Sequence, residues 1–146
     1  MTEALNNTSP GQKIKYHPLP EPFMAAVDLV DLADQRIAQL AEDDEGIRAE
    51  ETYLVGDTGI WCLLILYDDA LDELIGFEFI ETAESWKRPD AVLQYNEAAT
   101  EGFTVLVIVP DESFVEMSEL MARAGDSSIS ISDYSAMDLI PQLLVG

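Results

Sequence analysis

Thr104-Val105-Leu106-Val107-Ile108-Val109-Pro110 is followed, three residues on, by Ser113-Phe114-Val115-Glu116. The first stretch is an unbroken run of β-branched residues and leucine closed by a proline. It reads as a strand buried on both faces. The second is a Ser-x-x-Glu capping-box match. It predicts a helix whose Met117, Leu120, Met121 and Ala124 share one face and which Gly125 ends. Ile129-Ser130-Ile131-Ser132 then alternates like a final strand. Two strands joined through one helix are expected to be parallel neighbours with a right-handed crossover.

Working backward, a helix is expected from about Ser85 or Pro89 to Thr100. Pro89 suits its first turn and Gly102 its C-terminal cap. Three strand patterns precede it. Ile47 to Val55 is broken by Gly56-Asp57-Thr58-Gly59. Ile60 to Tyr67 is apolar on both faces, as a central strand is. Leu74 to Thr82 follows a turn over Asp68 to Glu73. Connections this short predict an antiparallel meander. Before the meander, Phe23, Val27, Val30, Ile37 and Leu40 fit one helical face with Ala33 in the gap. Asp28, Asp31, Asp34, Gln35 and Gln39 take the other side. That helix ends in Glu42-Asp43-Asp44-Glu45-Gly46, a cluster that reads as a solvated helix end, with a metal site as the alternative. Asp138 to Val145 is expected to make a short closing helix.

The expected order is therefore α, β, β, β, α, β, α, β, α. The fold class is α/β (α+β), a single mixed sheet of about five strands with helices on both faces. Residues 1–22 carry Pro10, Pro18, Pro20 and Pro22 and read as an extended arm; 23–146 read as a single domain. No repeat or low-complexity stretch is present.

The chain has 146 residues, enough to bury a core without staples. Its 29 Asp and Glu face only 7 Lys and Arg, a net charge of −22. The 48% apolar share excludes disorder as the default, and the charged share of 25% is ordinary. The chain is depleted of bases more than it is overcharged. That balance disfavours nucleic acid and anionic membranes as partners. No apolar run reaches 18 residues, so no membrane span is expected. Met1-Thr2-Glu3-Ala4-Leu5-Asn6-Asn7 has neither a basic nor an apolar leader region, so a cytoplasmic location is expected, with the interior of a virus particle as the alternative. The acids are spread between apolar residues throughout, which favours a surface adapted to high salt, as in an archaeal or viral halophile, over mimicry of nucleic acid. One Cys and one His exclude a disulfide framework and a multi-His metal site. Cys62, inside an apolar run, reads as a small core hydrophobe.

The element order from about residue 23 to 135 resembles the restriction-endonuclease-like, PD-(D/E)xK nuclease core. The stretch from Leu93 through Gly102 to Pro110 looks like that fold's helix-to-strand passage. The resemblance implies an acid on the second strand and Glu-x-Lys on the third, holding Mg²⁺ or Mn²⁺ while the Lys orients the water. Here Glu78 stands at the Glu position, but Ile80 follows two residues on instead of Lys. Glu81 does not rescue the motif, since Thr82 and Ala83 follow it. Ile60 to Tyr67 holds no acid; Asp57, Asp68 and Asp69 lie in the turns. If the chain cut nucleic acid, the catalytic set would be Asp57, Asp68, Glu78 and Lys87, with Asp68 and Glu78 on the metal. Gln94 lies where some members of that family carry a helpful Gln; a surface Gln is the plain reading. Glu78 as an edge or solvent-facing carboxylate is the plain reading of that residue.

Other chemistry has little support. Gly56-Asp57-Thr58-Gly59 joins two strands and opens no helix, so it cradles no phosphate. His17, the sole histidine, lies in the arm within Lys13-Ile14-Lys15-Tyr16-His17, the most basic stretch. That stretch has three readings: docking on its own domain or a neighbouring subunit, simple exposure, and nucleic-acid contact. The leading expectation is a non-catalytic binding or assembly module without cofactors, meeting a protein partner or a second copy through the arm. The alternatives are an acidic dimeric chaperone or adaptor like those of type III secretion, a metal-dependent nuclease, and a virion structural subunit. The chaperone reading expects an apolar patch on a two-fold surface, with Trp61 or Trp86 in it.

Overall fold

In the computed structural model, residues 27–143 are described. They form the helix α1 (Leu29–Asp43) and the strands β1 (Ile47–Gly56), β2 (Gly59–Asp68) and β3 (Glu73–Ile80). The helix α2 (Ala91–Thr100), β4 (Thr104–Val109), α3 (Phe114–Ala124) and β5 (Ser130–Asp133) follow. The five strands lie side by side in sequence order. β1, β2 and β3 are an antiparallel meander, and β3–β4 and β4–β5 are parallel. This is the expected α+β mixed sheet, with α2 and α3 as the crossovers between the parallel strands.

The sheet divides the interior into two cores. On one face, Leu29, Leu32, Ala33 and Leu40 of α1 meet Cys62, Leu64 and Leu66 of β2, Ile80 of β3 and Ile108 of β4. On the other, Tyr95 of α2 and Met117 and Met121 of α3 meet Trp61, Phe79, Val105, Val107 and Val109. Successive strand residues point to opposite faces. The all-apolar runs in β2 and β4 therefore fill both cores at once.

Several local features differ from expectation. α1 begins at Leu29, with the Asp28 carboxylate accepting the Asp31 N–H as an N-cap. Its buried stripe runs through Leu29, Leu32, Ala33 and Leu40, while Val30 and Ile37 lie at the flank. Phe23 and the Pro-rich arm 1–22 lie outside the described residues. Ser113 does not cap α3: its side chain bonds none of the helix's N–H groups, and it is buried in the short 3₁₀ turn Asp111–Ser113 that leads into the helix. Ala124 is exposed at the α3 end.

Asp138 to Leu143 do not continue as a helix. The segment runs as turn and extended chain, clipped to α1. The Gln35 carboxamide donates to the Ile140 carbonyl and accepts the Ile140 N–H, both at 2.8 Å. Gln39 donates to the Met137 carbonyl, and the Asp28 N–H to the Gln142 carbonyl. Side chains of α1 thus supply the backbone partners that a helix would have supplied internally. Residues 144–146 lie outside the described residues.

Two glycines have a specific duty. Gly102 takes φ +93° just after α2, the left-handed position that ends helices. Gly76 faces Thr104 across the β3–β4 pair, where a Cβ would lie 2.0 Å from the Thr104 hydroxyl.

Candidate functional site

Charge inside the fold is concentrated in two Arg–Glu pairs, one on each face. Glu78 lies mid-β3 between Leu64 and Leu106, on the α1 face. Arg36 lies in α1 between the buried turns of Ala33 and Leu40. It donates from Nε to Glu78 Oε1 at 2.7 Å and from Nη2 to Oε2 at 2.9 Å. Its Nη1 donates to Gln39 Oε1 at 3.0 Å. This is a bidentate fork, the strong form of a carboxylate pair.

The second pair sits just beyond β3, on the α2–α3 face. Glu81 is wholly buried. Its carboxylate accepts from Ser85 Oγ (2.6 Å), Arg88 Nη1 (2.7 Å), Arg88 Nη2 (3.1 Å) and the Tyr95 hydroxyl (2.6 Å). The Arg88 guanidinium also donates to the Ser85 carbonyl and, from Nε and Nη2, to Gln94 Oε1. All five of its N–H groups are therefore engaged. Its Cζ lies over the Trp61 ring, 3.6 Å from the centroid. Thr82 and Ser85 bond reciprocally, each hydroxyl accepting the other's N–H, which fixes the turn that carries Ser85. The Tyr134 hydroxyl after β5 closes the site from the far side by donating to the Glu81 carbonyl at 2.5 Å.

Burial and the adjacent Glu81 charge hold the Tyr95 phenol well above its ordinary range, so it stays a donor. Burial likewise raises Tyr134, helped by Glu81. At the surface, the Ser135 hydroxyl and N–H on Asp111 hold that carboxyl below the usual range.

The residues singled out from sequence do not gather around Glu78. Asp57 is in the β1–β2 turn and Asp68 at the other end of β2, about 30 Å away at the rise of a strand. Asp68 accepts the Leu71 N–H in the β2–β3 turn. Glu78 is opposite Leu64, roughly 13 Å along the strand from Asp68. Lys87 lies in the 3₁₀ turn Ser85–Lys87, half-exposed, with Nζ 3.9 Å from Glu84 and over the Trp86 ring. Among the described residues, no three His, Cys, Asp or Glu side chains are grouped to hold a metal ion. Gln94 is no free surface residue: it steadies Arg88.

Arg36, Arg88 and the central place of Glu81 are what sequence reading misses. A signal existed for the first. Arg36 falls at i+3 from Ala33 and four before Leu40, on the apolar stripe of α1, in a chain with very few bases. A base at such a position calls for a buried acid opposite it. For Arg88 there was no comparable signal, because its partners come from a turn, a helix and a strand end.

The Glu78 carboxylate is taken up by Arg36, and the Glu81 carboxylate by Arg88, Ser85 and Tyr95. Comparison with family models, curated proteins and solved structures returns no match. No described helix is long and apolar enough to cross a membrane.

Proposed function

We propose that this chain is a non-catalytic binding or assembly module on a nuclease-like sheet. The observation that supports it is the state of Glu78. The carboxylate at the position where the nuclease resemblance requires a metal ligand is 5% exposed and forked onto Arg36. Metal coordination there would have to displace that guanidinium and leave it largely buried with only the neutral Gln39 carboxamide as partner, a cost of about 3–5 kcal/mol for breaking such a pair. An Arg fork is a sound reason for a glutamate to persist in mid-strand without chemistry.

The partner is a protein, given the acid excess, and the basic stretch Lys13 to His17 in the arm is a candidate contact. The acids spread over the chain suit a salt-rich compartment, where charge repulsion is screened over about 3 Å at 1 M salt.

The decisive experiment is a nuclease assay with Mg²⁺ and with Mn²⁺ in molar KCl, on wild type and Glu78→Gln. No cleavage by either is expected. Metal-dependent cleavage that disappears in Glu78→Gln would overturn the reading. Salt adaptation predicts that the urea midpoint rises as KCl approaches molar; a midpoint independent of KCl would remove that part.

A further inference from the structure

The two faces of the sheet are covered unequally. On the first face α1 packs across β1, β2 and β3. On the second, α2 packs on β4 and α3 on β5. The upper part of β2 on that second face is covered by the Ser85–Lys87 turn and by Arg88 on Trp61. The lower part is not covered by any described element. Ile65 shows this directly. Its neighbours Leu64 and Leu66 belong to the first core, so Ile65 points to the second face. Yet it is half-buried and packs against neither core. It lies in a row with Glu50 of β1 and Phe77 of β3. Phe77 continues the row by an edge-to-face contact with Phe103, at 5.5 Å between centroids.

The rim of this apolar strip is acidic. Glu50 is directly opposite Ile65. On the other side stands α2. Its Gln94 points toward β2, since it bonds Arg88 over Trp61. Ala98 and Glu101 follow at i+4 and i+7 on the same side. At the lower end, Asp69 at 3.0 Å, Asp72 at 2.8 Å and Glu50 itself at 3.7 Å surround Arg48, which lies over the Tyr67 ring at 4.5 Å. Among the described residues of this rim, Arg48 is thus outnumbered by Glu50, Asp69 and Asp72.

We propose that this strip is a docking groove for a basic amphipathic segment of a protein partner. The inference rests on the binding-module reading and supplies the surface it lacks. An apolar floor takes the segment's apolar side. Lys and Arg stems lie along the walls, with their heads on Glu101 and on the surplus charge of Glu50, Asp69 and Asp72, three acids that share Arg48. A second copy of this chain is the poorer occupant, because it would bring another acidic rim against this one.

The test uses the full chain and a fluorescent synthetic helix of about 18 residues made of Leu and Lys, read by anisotropy at fixed ionic strength. Ile65→Asp is expected to weaken binding about tenfold or more. Val115→Asp on exposed α3 changes charge equally and is expected to leave binding within about twofold. Should Ile65→Asp unfold by circular dichroism, the exposed pair Glu50→Lys with Glu101→Lys carries the test, against Glu116→Lys with Glu119→Lys on α3. Equal losses in the rim and α3 pairs would mean non-specific charge attraction and overturn the groove. A wild-type dimer by light scattering that the rim pair or Ile65→Asp dissociates would assign the strip to a second copy and overturn it too. So would tighter probe binding by Lys13→Glu with Lys15→Glu, which would make the chain's own basic stretch the occupant. Failure of the probe with no metal-dependent cleavage would sink the groove alone. Cleavage lost in Glu78→Gln with the groove intact would sink the non-catalytic reading alone.

Discussion

The two buried Arg–Glu pairs use the same chemistry and do different work. Arg36 and Glu78 are 42 residues apart and join α1 to the middle of the sheet. Arg88 and Glu81 are seven apart and organise the turn between β3 and α2. The first guanidinium keeps an edge toward solvent, with 12% of the side chain exposed; the second is at 4%, against a carboxylate at 0%. The first leans on one additional side chain, Gln39. The second holds a network of Ser85, Gln94, Tyr95 and Trp61. The lesson concerns cost. A charge pair lifted fully out of water needs its own donors and acceptors met, and the network meets those of Arg88 and Glu81, while the indole N–H of Trp61 beneath them has no partner among the described residues.

The sharpest way to break the comparison is Arg88→Met. It leaves the Glu81 carboxylate buried with only hydroxyl donors. A loss of about 3–5 kcal/mol in urea unfolding is expected, and restoration of much of it by adding Glu81→Leu. A loss no larger than that of a surface arginine would mean that the network contributes nothing beyond packing. Arg36→Met is expected to cost less, about 1.5–3 kcal/mol, because water can reach the Glu78 side. If it cost more than Arg88→Met, the ranking by burial would be wrong.

The smallest effect is read in pH. Tyr95 and Tyr134 are raised above ordinary phenols in the folded state. Their contribution is full below the unfolded value near 10. Above it the unfolded chain gives up phenolic protons that the fold retains, so stability falls as pH rises. Tyr95→Phe is expected to flatten that fall by about 1 kcal/mol per pH unit between pH 10 and 11. An unchanged slope in the variant would show that Tyr95 titrates normally.

Much of the fold could be read from local pattern. The β2 and β4 runs, the meander turns and the helix cap at Gly102 are properties of a few adjacent residues, and they appear as expected. The misses share a cause. The serine of a Ser-x-x-Glu box caps only if the backbone enters the helix extended; here Ser113 comes in through a 3₁₀ turn. Asp138 to Leu143 has helix-compatible residues, but Gln35 and Gln39 of α1, about a hundred residues away, offer its backbone other partners. Glu78 could be found in the sequence as a mid-strand acid, whereas its partner could not be assigned, because that depends on which turn of α1 crosses β3.

The sequence by itself determined the element order from α1 through β5, the parallel step across α3, the acid excess and the lack of a Lys at position 80. Those follow from periodicity and composition, which need no knowledge of what lies opposite. Only the tertiary structure decided which of the few arginines meets which of the many acids, and over which strands each described helix lies. The pairings follow from that placement, where burial turns one pairing among many into the one that satisfies both charges.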